Sequence, residues 1–291
     1  MTFAPPDPAT VRALAAAAEQ ADGVAPLSEA FVLALTDPEV IHVGQERDGT
    51  LVGYAQVDRT GATELVVHPD HRRQGIGTAL WRAVADAGAA TVWAHGDLPS
   101  ARALAGRVGL DRVRELHRME RPLTEVDRAD AVVPQGFSAR TFVPGEDDEA
   151  WVALNAAAFA HHPEQGRLTV EDLRTRQAQP WFDADGFFLV TDDAHPETGP
   201  VAFHWTKTEP DQDPATAKGE VYVVGVHPAY QGRGLARPLT RLGTSHLARR
   251  GLAMVELYVD GHNTAALATY RKEGFTSVAI DAMYAVPGTS R

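Results

Sequence analysis

Two stretches of this 291-residue chain repeat one another, and no other feature constrains the fold as tightly. The later stretch is Val221-Tyr222-Val223-Val224-Gly225-Val226-His227-Pro228-Ala229-Tyr230-Gln231-Gly232-Arg233-Gly234-Leu235-Ala236-Arg237. Its first six residues read as a buried strand, apolar and rich in β-branched side chains, which stops at Pro228 because proline has no N–H to donate. Beyond the glycines, Leu239, Leu242 and Leu247 recur at helical spacing. The earlier stretch, Glu64 to Thr78, has the same order. Placing His68-Pro69 on His227-Pro228 sets Arg72, Gly75 and Gly77 on Gln231, Gly234 and Ala236. Further on, Val108-Gly109-Leu110 falls where Glu273-Gly274-Phe275 falls in the later half. The chain therefore reads as a tandem duplication with a period of about 160 residues. Domains are expected at 1–133 and 134–291, with the charged, aperiodic segment 122–134 as linker.

A strand feeding a glycine-rich turn and a helix N-terminus is an anion site, since unpaired amides and the positive end of the helix dipole converge where no side chain blocks approach. The spacing is not the dinucleotide fingerprint, which needs a further glycine at Arg237, and no Gly-Lys-Ser/Thr follows to make a P-loop. Lys+Arg 27 against Asp+Glu 39 gives a net charge of −12, which argues against nucleic-acid or anionic-membrane partners. The chain has no cysteine, so thiolate metal sites, disulfides and a cysteine nucleophile are excluded. With no secretory pattern at the N-terminus and no long apolar run, a cytoplasmic location is expected.

Thr10 to Ala21 reads as an amphipathic helix broken at Asp22-Gly23-Val24-Ala25-Pro26. Ser28 is expected to cap a second helix with Glu29 in its first turn, where a carboxylate also simply complements the dipole. Lys207 ends a strand before a polar loop, a place where a lysine is commonly just solvated. Period-2 alternation is expected to put Glu220, Tyr222, Val224 and Val226 on one strand face, with Glu220 either placed for proton abstraction or simply an exposed glutamate at a strand start. Asn263 is expected to cap a helix from Thr264, with Tyr270 two turns along on the face shared with Ala266 and Leu267. The pair His161-His162 has no further ligand at recognisable spacing, and no metal is expected.

The pattern Gln/Arg-x-x-Gly-x-Gly/Ala after a strand resembles the acyl-CoA pyrophosphate loop of the GCN5-related N-acetyltransferase (GNAT) superfamily, and the order Asn263, Tyr270, Gly274-Phe275 is a second likeness to it. Asp22 to Pro26, Leu65 to Pro69, His162-Pro163-Glu164-Gln165-Gly166, Phe203-His204-Trp205-Thr206-Lys207 and Gly219 to Val223 narrow the resemblance to the mycothiol synthase family. Those tandem GNAT enzymes of actinobacteria acetylate the cysteine amine of cysteinyl-glucosaminyl-inositol with acetyl-CoA. The resemblance implies an α/β (α+β) fold of two tandem GNAT domains, each a mixed, mostly antiparallel sheet flanked by helices. It implies acetyl-CoA contacts at Leu65, Val66, Val67, Arg73, Gln74, Gly75, Ile76, Gly77 and Thr78 in the first copy. In the second they fall at Val224, Gly225, Val226, Gln231, Gly232, Arg233, Gly234, Leu235, Ala236 and Arg237, and at Asn263, Thr264, Ala265, Ala266, Leu267 and Ala268. The small-molecule amine would meet Glu29, Glu164, Lys207, Glu220 and Tyr258. Catalysis would rest on Glu220 as base, the Val226 N–H on the thioester oxygen and Tyr270 as acid, without a metal, in a monomer. In the first copy Gly61, Leu98 and Ala105 stand where Glu220, Asn263 and Tyr270 stand, so that domain is expected to bind CoA without catalysis. A tandem GNAT acting on another amine, or a non-catalytic acyl-CoA sensor, are the alternatives.

Overall fold

The computed structural model describes residues 5–160, 165–213 and 216–289. Two compact units make up the chain, and neither is one uninterrupted stretch. The first runs to His117 and takes in Asp260–His262 and the residues from Ala279 onward, while the second holds Arg118–Val259 and Asn263–Val278. A single division near residue 133 does not capture this pattern.

In the first unit Asp7 caps α1 (Pro8–Asp22), its carboxylate accepting from the Thr10 N–H at 3.1 Å, and Gly23 ends the helix at φ 71°. Ser28 precedes α2 (Glu29–Leu33) but makes no side-chain cap, contrary to expectation. Its own N–H donates to Glu64 Oε2 at 2.7 Å, so a buried carboxylate fixes this turn and the hydroxyl is not needed. Strands β1 (Ile41–Arg47), β2 (Thr50–Val57) and β3 (Ala62–Val67) pair antiparallel. Helix α3 (Ile76–Asp86) crosses to β4 (Thr91–Ala94), parallel to β3, and α4 (Pro99–Val108) leads to β5 (Asp111–Pro122). The buried residues of α3, Ile76, Leu80, Trp81 and Val84, follow helical periodicity, and each fully buried apolar side chain of this size stabilises by roughly 1.5–3 kcal/mol.

The second unit repeats the plan. Its elements are β6 (Phe137–Thr141), α5 (Asp148–Ala158), α6 (Val170–Gln177), β7 (Phe187–Asp192), β8 (Pro200–Lys207), β9 (Lys218–Val226), α7 (Ala236–Arg249), β10 (Met254–Asp260), α8 (Thr264–Lys272) and β11 (Thr276–Ala285). Strands β6 to β9 pair antiparallel in sequence, and β10 joins parallel to β9. An aromatic core of Trp151, Trp181, Phe187, Phe203 and Trp205 fills one face.

Strand β5 gives residues 111–117 to the first unit and 118–122 to the second, and β11 gives 276–278 to the second and 279–285 to the first. The strand order within the first unit is β1-β2-β3-β4-β11-β5, and within the second β11-β5-β10-β9-β8-β7-β6. Ala282 to Ala285 pair antiparallel with Ala94 to Thr91, and Ala282 and Tyr284 are buried in the first unit's core. The chain's last strand thus completes the unit built mainly from its first 117 residues.

Candidate active site

In the second unit the site begins where two parallel strands part. The β9–β10 ladder holds Lys218–Met254 to Val221–Leu257 and then stops, although β9 continues to Val226 and β10 to Asp260. The His227 N–H donates to Val201 O at 2.9 Å on the β8 side. Ladder groups alternate sides, so the Val226 N–H points into the gap left by β10.

Past the strand, Pro228–Tyr230 forms a 3-10 turn in which the His227 ring accepts from the Ala229 N–H at 3.2 Å. Pro69–His71 in the first unit repeats this, with His68 accepting from Asp70 at 3.3 Å. Gly234 and Gly75 take φ 80° and 84°, which glycine adopts without steric cost. Gly232 at φ 78° has Arg73 at φ 63° as its counterpart, so the first loop holds an arginine in a left-handed conformation. Neither α7 nor α3 has a side-chain cap, which leaves first-turn amides for an anion. Glu273 ties Arg237 and Arg241 to α8, and although burial opposes it, their hydrogen bonds hold its carboxyl below the usual range.

Glu220 lies near the start of β9. It pairs across the sheet with Lys207, whose ammonium lies 5.0 Å from the Trp181 ring centroid, 5.7 Å from that of Tyr222 and 2.7 Å from Glu209. Arg176 fixes Tyr222, its Nε donating to the phenol oxygen at 3.0 Å while Nη1 donates to Asp172 O at 3.0 Å. Lys207 is therefore not the solvated strand end that its position allows: only 10 % of its side chain is exposed, and two π faces and a carboxylate hold the charge. Trp181 and Arg176 were not visible as site residues in the sequence, since Arg176 lies in the last turn of an unremarkable polar helix and Trp181 in the turn beyond it.

One expectation about this strand fails. A register shift between Trp205 and Thr206 pairs Trp205 with Val223 but Thr206 with Val221, leaving Tyr222 as the extra residue of a β-bulge. Parity flips across it. A Cβ on Gly219 would strike Leu247 of α7, whereas one on Gly225 would strike Phe203 and Ala158 of the α5 face. Glu220 and Tyr222 thus face α5 and α6, while Val224 and Val226 pack with Leu235 and Leu239 on the α7 face. The corresponding pairs of the first unit, Gln56–Glu64 and Val57–Thr63, run without a shift.

Tyr270 lies on the α7 side, packed with Val221, Leu257 and Leu267, and burial pushes its phenol up to about 12. Asn263 caps its helix as expected, accepting from the Ala266 N–H at 3.0 Å. Carboxylate and phenol thus belong to opposite faces of the sheet. Tyr258, 42 % exposed, follows Glu256 by two residues on β10. Glu29 opens α2 of the first unit, and Glu164, with the His161-His162 pair, lies outside the described residues.

The first unit has the same parted strands, since β3 and β4 pair only at Ala62–Thr91 and Thr63–Val92. A cavity of about 390 Å³ opens there, lined by Leu65, Val67, Gly77, Ala94 and Leu104 among others. Arg72 closes one end, its guanidinium in two 2.7 Å bonds to Asp22. His95 also lines it, and its two ring nitrogens meet Glu64 Oε1 at 2.9 Å and Asp281 Oδ2 at 3.2 Å. Although burial opposes the charge, those carboxylates push the imidazole up to about 10, so both ring nitrogens carry protons at neutral pH. It cannot serve as a base there. Ala105 is a buried residue of α4 and Leu98 offers no cap, in keeping with a unit that lacks the phenol and its capped helix.

The model of the acetyltransferase (GNAT) family matches residues 10–109 and 143–275. The chain belongs to the GNAT acetyltransferase family. Within it, the mycothiol acetyltransferase of Thermomonospora curvata is 49% identical over 97% of this chain and 94% of its own, and that of Streptomyces coelicolor 47% identical over 94% and 90%. Both GNAT units have solved counterparts. A GCN5-related N-acetyltransferase from Sphaerobacter thermophilus aligns with TM-score 0.66 at 27% identity, covering 98% of this chain and 96% of its own. A tandem GNAT protein of the clavulanic acid pathway, at 18% identity, shares the fold with the same TM-score and coverage. The chain is an N-acetyltransferase of the mycothiol acetyltransferase group, and none of its described helices is long and apolar enough to cross a membrane.

Proposed function

We propose that the protein acetylates the cysteine amine of cysteinyl-glucosaminyl-inositol with acetyl-CoA, yielding mycothiol, and that the second unit alone carries the chemistry. The observation that carries the reading is the pairing of a carboxylate, Glu220, on one face of the parted strands with a protonated phenol, Tyr270, on the other. Direct transfer needs that arrangement, because the amine attacks the thioester carbon from one side as the thiolate leaves on the other. The amine has an ordinary pKa near ~8, so modest help from Glu220 frees its lone pair. The Val226 N–H polarises the thioester oxygen as negative charge develops. Tyr270, neutral across the physiological range, protonates the departing thiolate. The loops at 231–237 and 73–78 each take a CoA pyrophosphate, with 224–226, 263–268 and 65–67 along the rest of the molecule. Lys207, Glu164, Tyr258 and Glu29 contact the acceptor. The first unit holds CoA without turnover, since Gly61 and Ala105 offer no proton transfer.

The test is a steady-state assay with acetyl-CoA against cysteinyl-glucosaminyl-inositol, cysteine, glucosaminyl-inositol and an aminoglycoside. The reading predicts the highest kcat/KM for the first by at least ~100-fold, the discrimination that a few lost polar contacts produce. Equal or better turnover of an aminoglycoside would overturn the substrate assignment.

A further inference from the structure

Lys207 is a cation held almost out of water, directly opposite Glu220 in the β8–β9 register. Glu209 meets it at 2.7 Å, but that carboxylate is itself 56 % exposed and lies past the end of β8. The buried contacts are two aromatic faces, Trp181 with its ring centroid 5.0 Å from Nζ and Tyr222 at 5.7 Å. The rings also pack on each other, their centroids 5.0 Å apart at 56°, so that moving one disturbs the other.

Both rings are set by one short piece of chain. A capping box starts α6, in which Thr169 and Asp172 satisfy one another's N–H groups. In the last turn of that helix the Arg176 Nε donates to the Tyr222 phenol at 3.0 Å, while Nη1 donates to Asp172 O at 3.0 Å. The guanidinium is thereby fixed to its own helix as it holds the ring. Beyond Gln177 a tight turn, with the Phe182 N–H donating to Gln179 O at 3.0 Å, carries Trp181 into the core against Trp205. Stability alone does not call for a charge here, because an apolar side chain at 207 fills similar space without the cost of taking an ammonium out of water. What the arrangement does is fix where that charge stands.

We propose that Trp181 and Arg176 are positioning residues for the acceptor, acting through Lys207 and Tyr222. They hold the ammonium in place before the acceptor arrives, so that it meets an oxygen of the sugar-bearing amine with little further loss of side-chain freedom. Trp181 does this directly through its π face. Arg176 does it at one remove, by fixing the phenol whose ring is the second face. The inference rests on the reading that Lys207 contacts the acceptor.

The experiment measures kcat and both KM values with acetyl-CoA and cysteinyl-glucosaminyl-inositol, in the full chain, for Trp181→Leu, Trp181→Phe, Arg176→Met, Tyr222→Phe, Lys207→Met and the double variant Trp181→Leu/Lys207→Met. Trp181→Leu should raise the acceptor KM roughly 2- to 30-fold, the range that a cation–π contact supplies, with kcat and the acetyl-CoA KM nearly unchanged. Trp181→Phe, which keeps a π face, should restore part of the loss. Arg176→Met and Tyr222→Phe delete the same hydrogen bond and leave the ring, so they should show equal rises of roughly 2- to 10-fold. This second pair carries the test if Trp181→Leu does not fold. The double variant should be no worse than Lys207→Met, because residues that act through one another are not additive. Multiplied effects in the double variant, or equal changes in both KM values, would mean a merely structural role and overturn the proposal. So would a wild-type acceptor KM in Trp181→Leu and Arg176→Met beside a raised one in Lys207→Met. A wild-type acceptor KM in Lys207→Met itself would instead overturn the assignment of Lys207 to the acceptor, and the proposal with it, which separates the two failures.

Discussion

His204 gives the most quantitative handle on the second unit. It lies on β8 with no exposed surface, its Nδ1 2.7 Å from Leu239 O, and its ring is packed so tightly on α7 that a Cβ on Gly243 would fall 1.9 Å from Nε2. Burial, against the pull of the Leu239 carbonyl, lowers its pKa from 6.5 to about 4. The folded chain therefore binds fewer protons than the unfolded chain between those values. Stability is fully present above pH 6.5 and falls as pH drops towards 4. With one group and these two pKa values, the loss on going from pH 7.5 to 5 is about 2 kcal/mol, and to pH 4 about 3 kcal/mol, as upper figures. Asparagine can place an amide nitrogen near Nδ1 yet does not titrate. His204→Asn should be less stable at pH 7.5, because the smaller side chain leaves space against Gly243, but should lack this part of the pH dependence. Urea unfolding at pH 7.5, 6, 5 and 4, monitored by tryptophan fluorescence because Trp151, Trp181 and Trp205 all sit in the second unit's core, measures the difference in slope between the two proteins. Parallel curves would refute the reasoning, since they would mean that His204 is charged or solvated in the folded state.

The first unit should respond in the opposite sense. His95 has its folded pKa raised from 6.5 to about 10, so its contribution is complete below pH 6.5 and is lost as pH rises through 10, and Asp281→Asn should flatten that alkaline loss in urea melts followed between pH 6 and 10. CoA occupancy has a matched pair of probes, since Gly77 and Ala236 occupy equivalent first-turn positions outside the left-handed region. Gly77→Asp should remove one of two acetyl-CoA sites in calorimetry and spare most turnover, whereas Ala236→Asp should remove the other and raise the acetyl-CoA KM; a single site insensitive to Gly77→Asp would count against binding in the first unit.

How much of this was readable beforehand follows from the range of the interactions involved. The two glycine loops were legible because their signals are local: glycines at fixed offsets, a proline that ends a strand and a helix that starts within a few residues. Asn263 was legible for the same reason. The β-bulge at Tyr222 was not, because it exists only in the pairing of β9 with β8, and alternation along one strand cannot reveal a partner's slip. Neither was the exchange that gives 279–285 to the first unit, since it depends on Ala282 finding Ala94 far away in sequence. Trp181 and Arg176 gain meaning only from their contacts with Lys207 and Tyr222. His95 sits where sequence offers merely a strand end, and it becomes chemically distinct through carboxylates supplied by other strands.

The central claim is that proton transfer belongs to Glu220 and Tyr270 in the second unit. Steady-state kinetics of Glu220→Gln and Tyr270→Phe, with the fold checked by circular dichroism, tests it most directly. Each substitution removes a proton-transfer group expected to contribute roughly 10² to 10⁴-fold. Both variants should show kcat lowered by that factor with the acetyl-CoA KM nearly unchanged, and the Tyr270→Phe deficit should shrink with acetyl thioesters of more acidic thiols. Near-wild-type kcat in both folded variants would place the chemistry elsewhere.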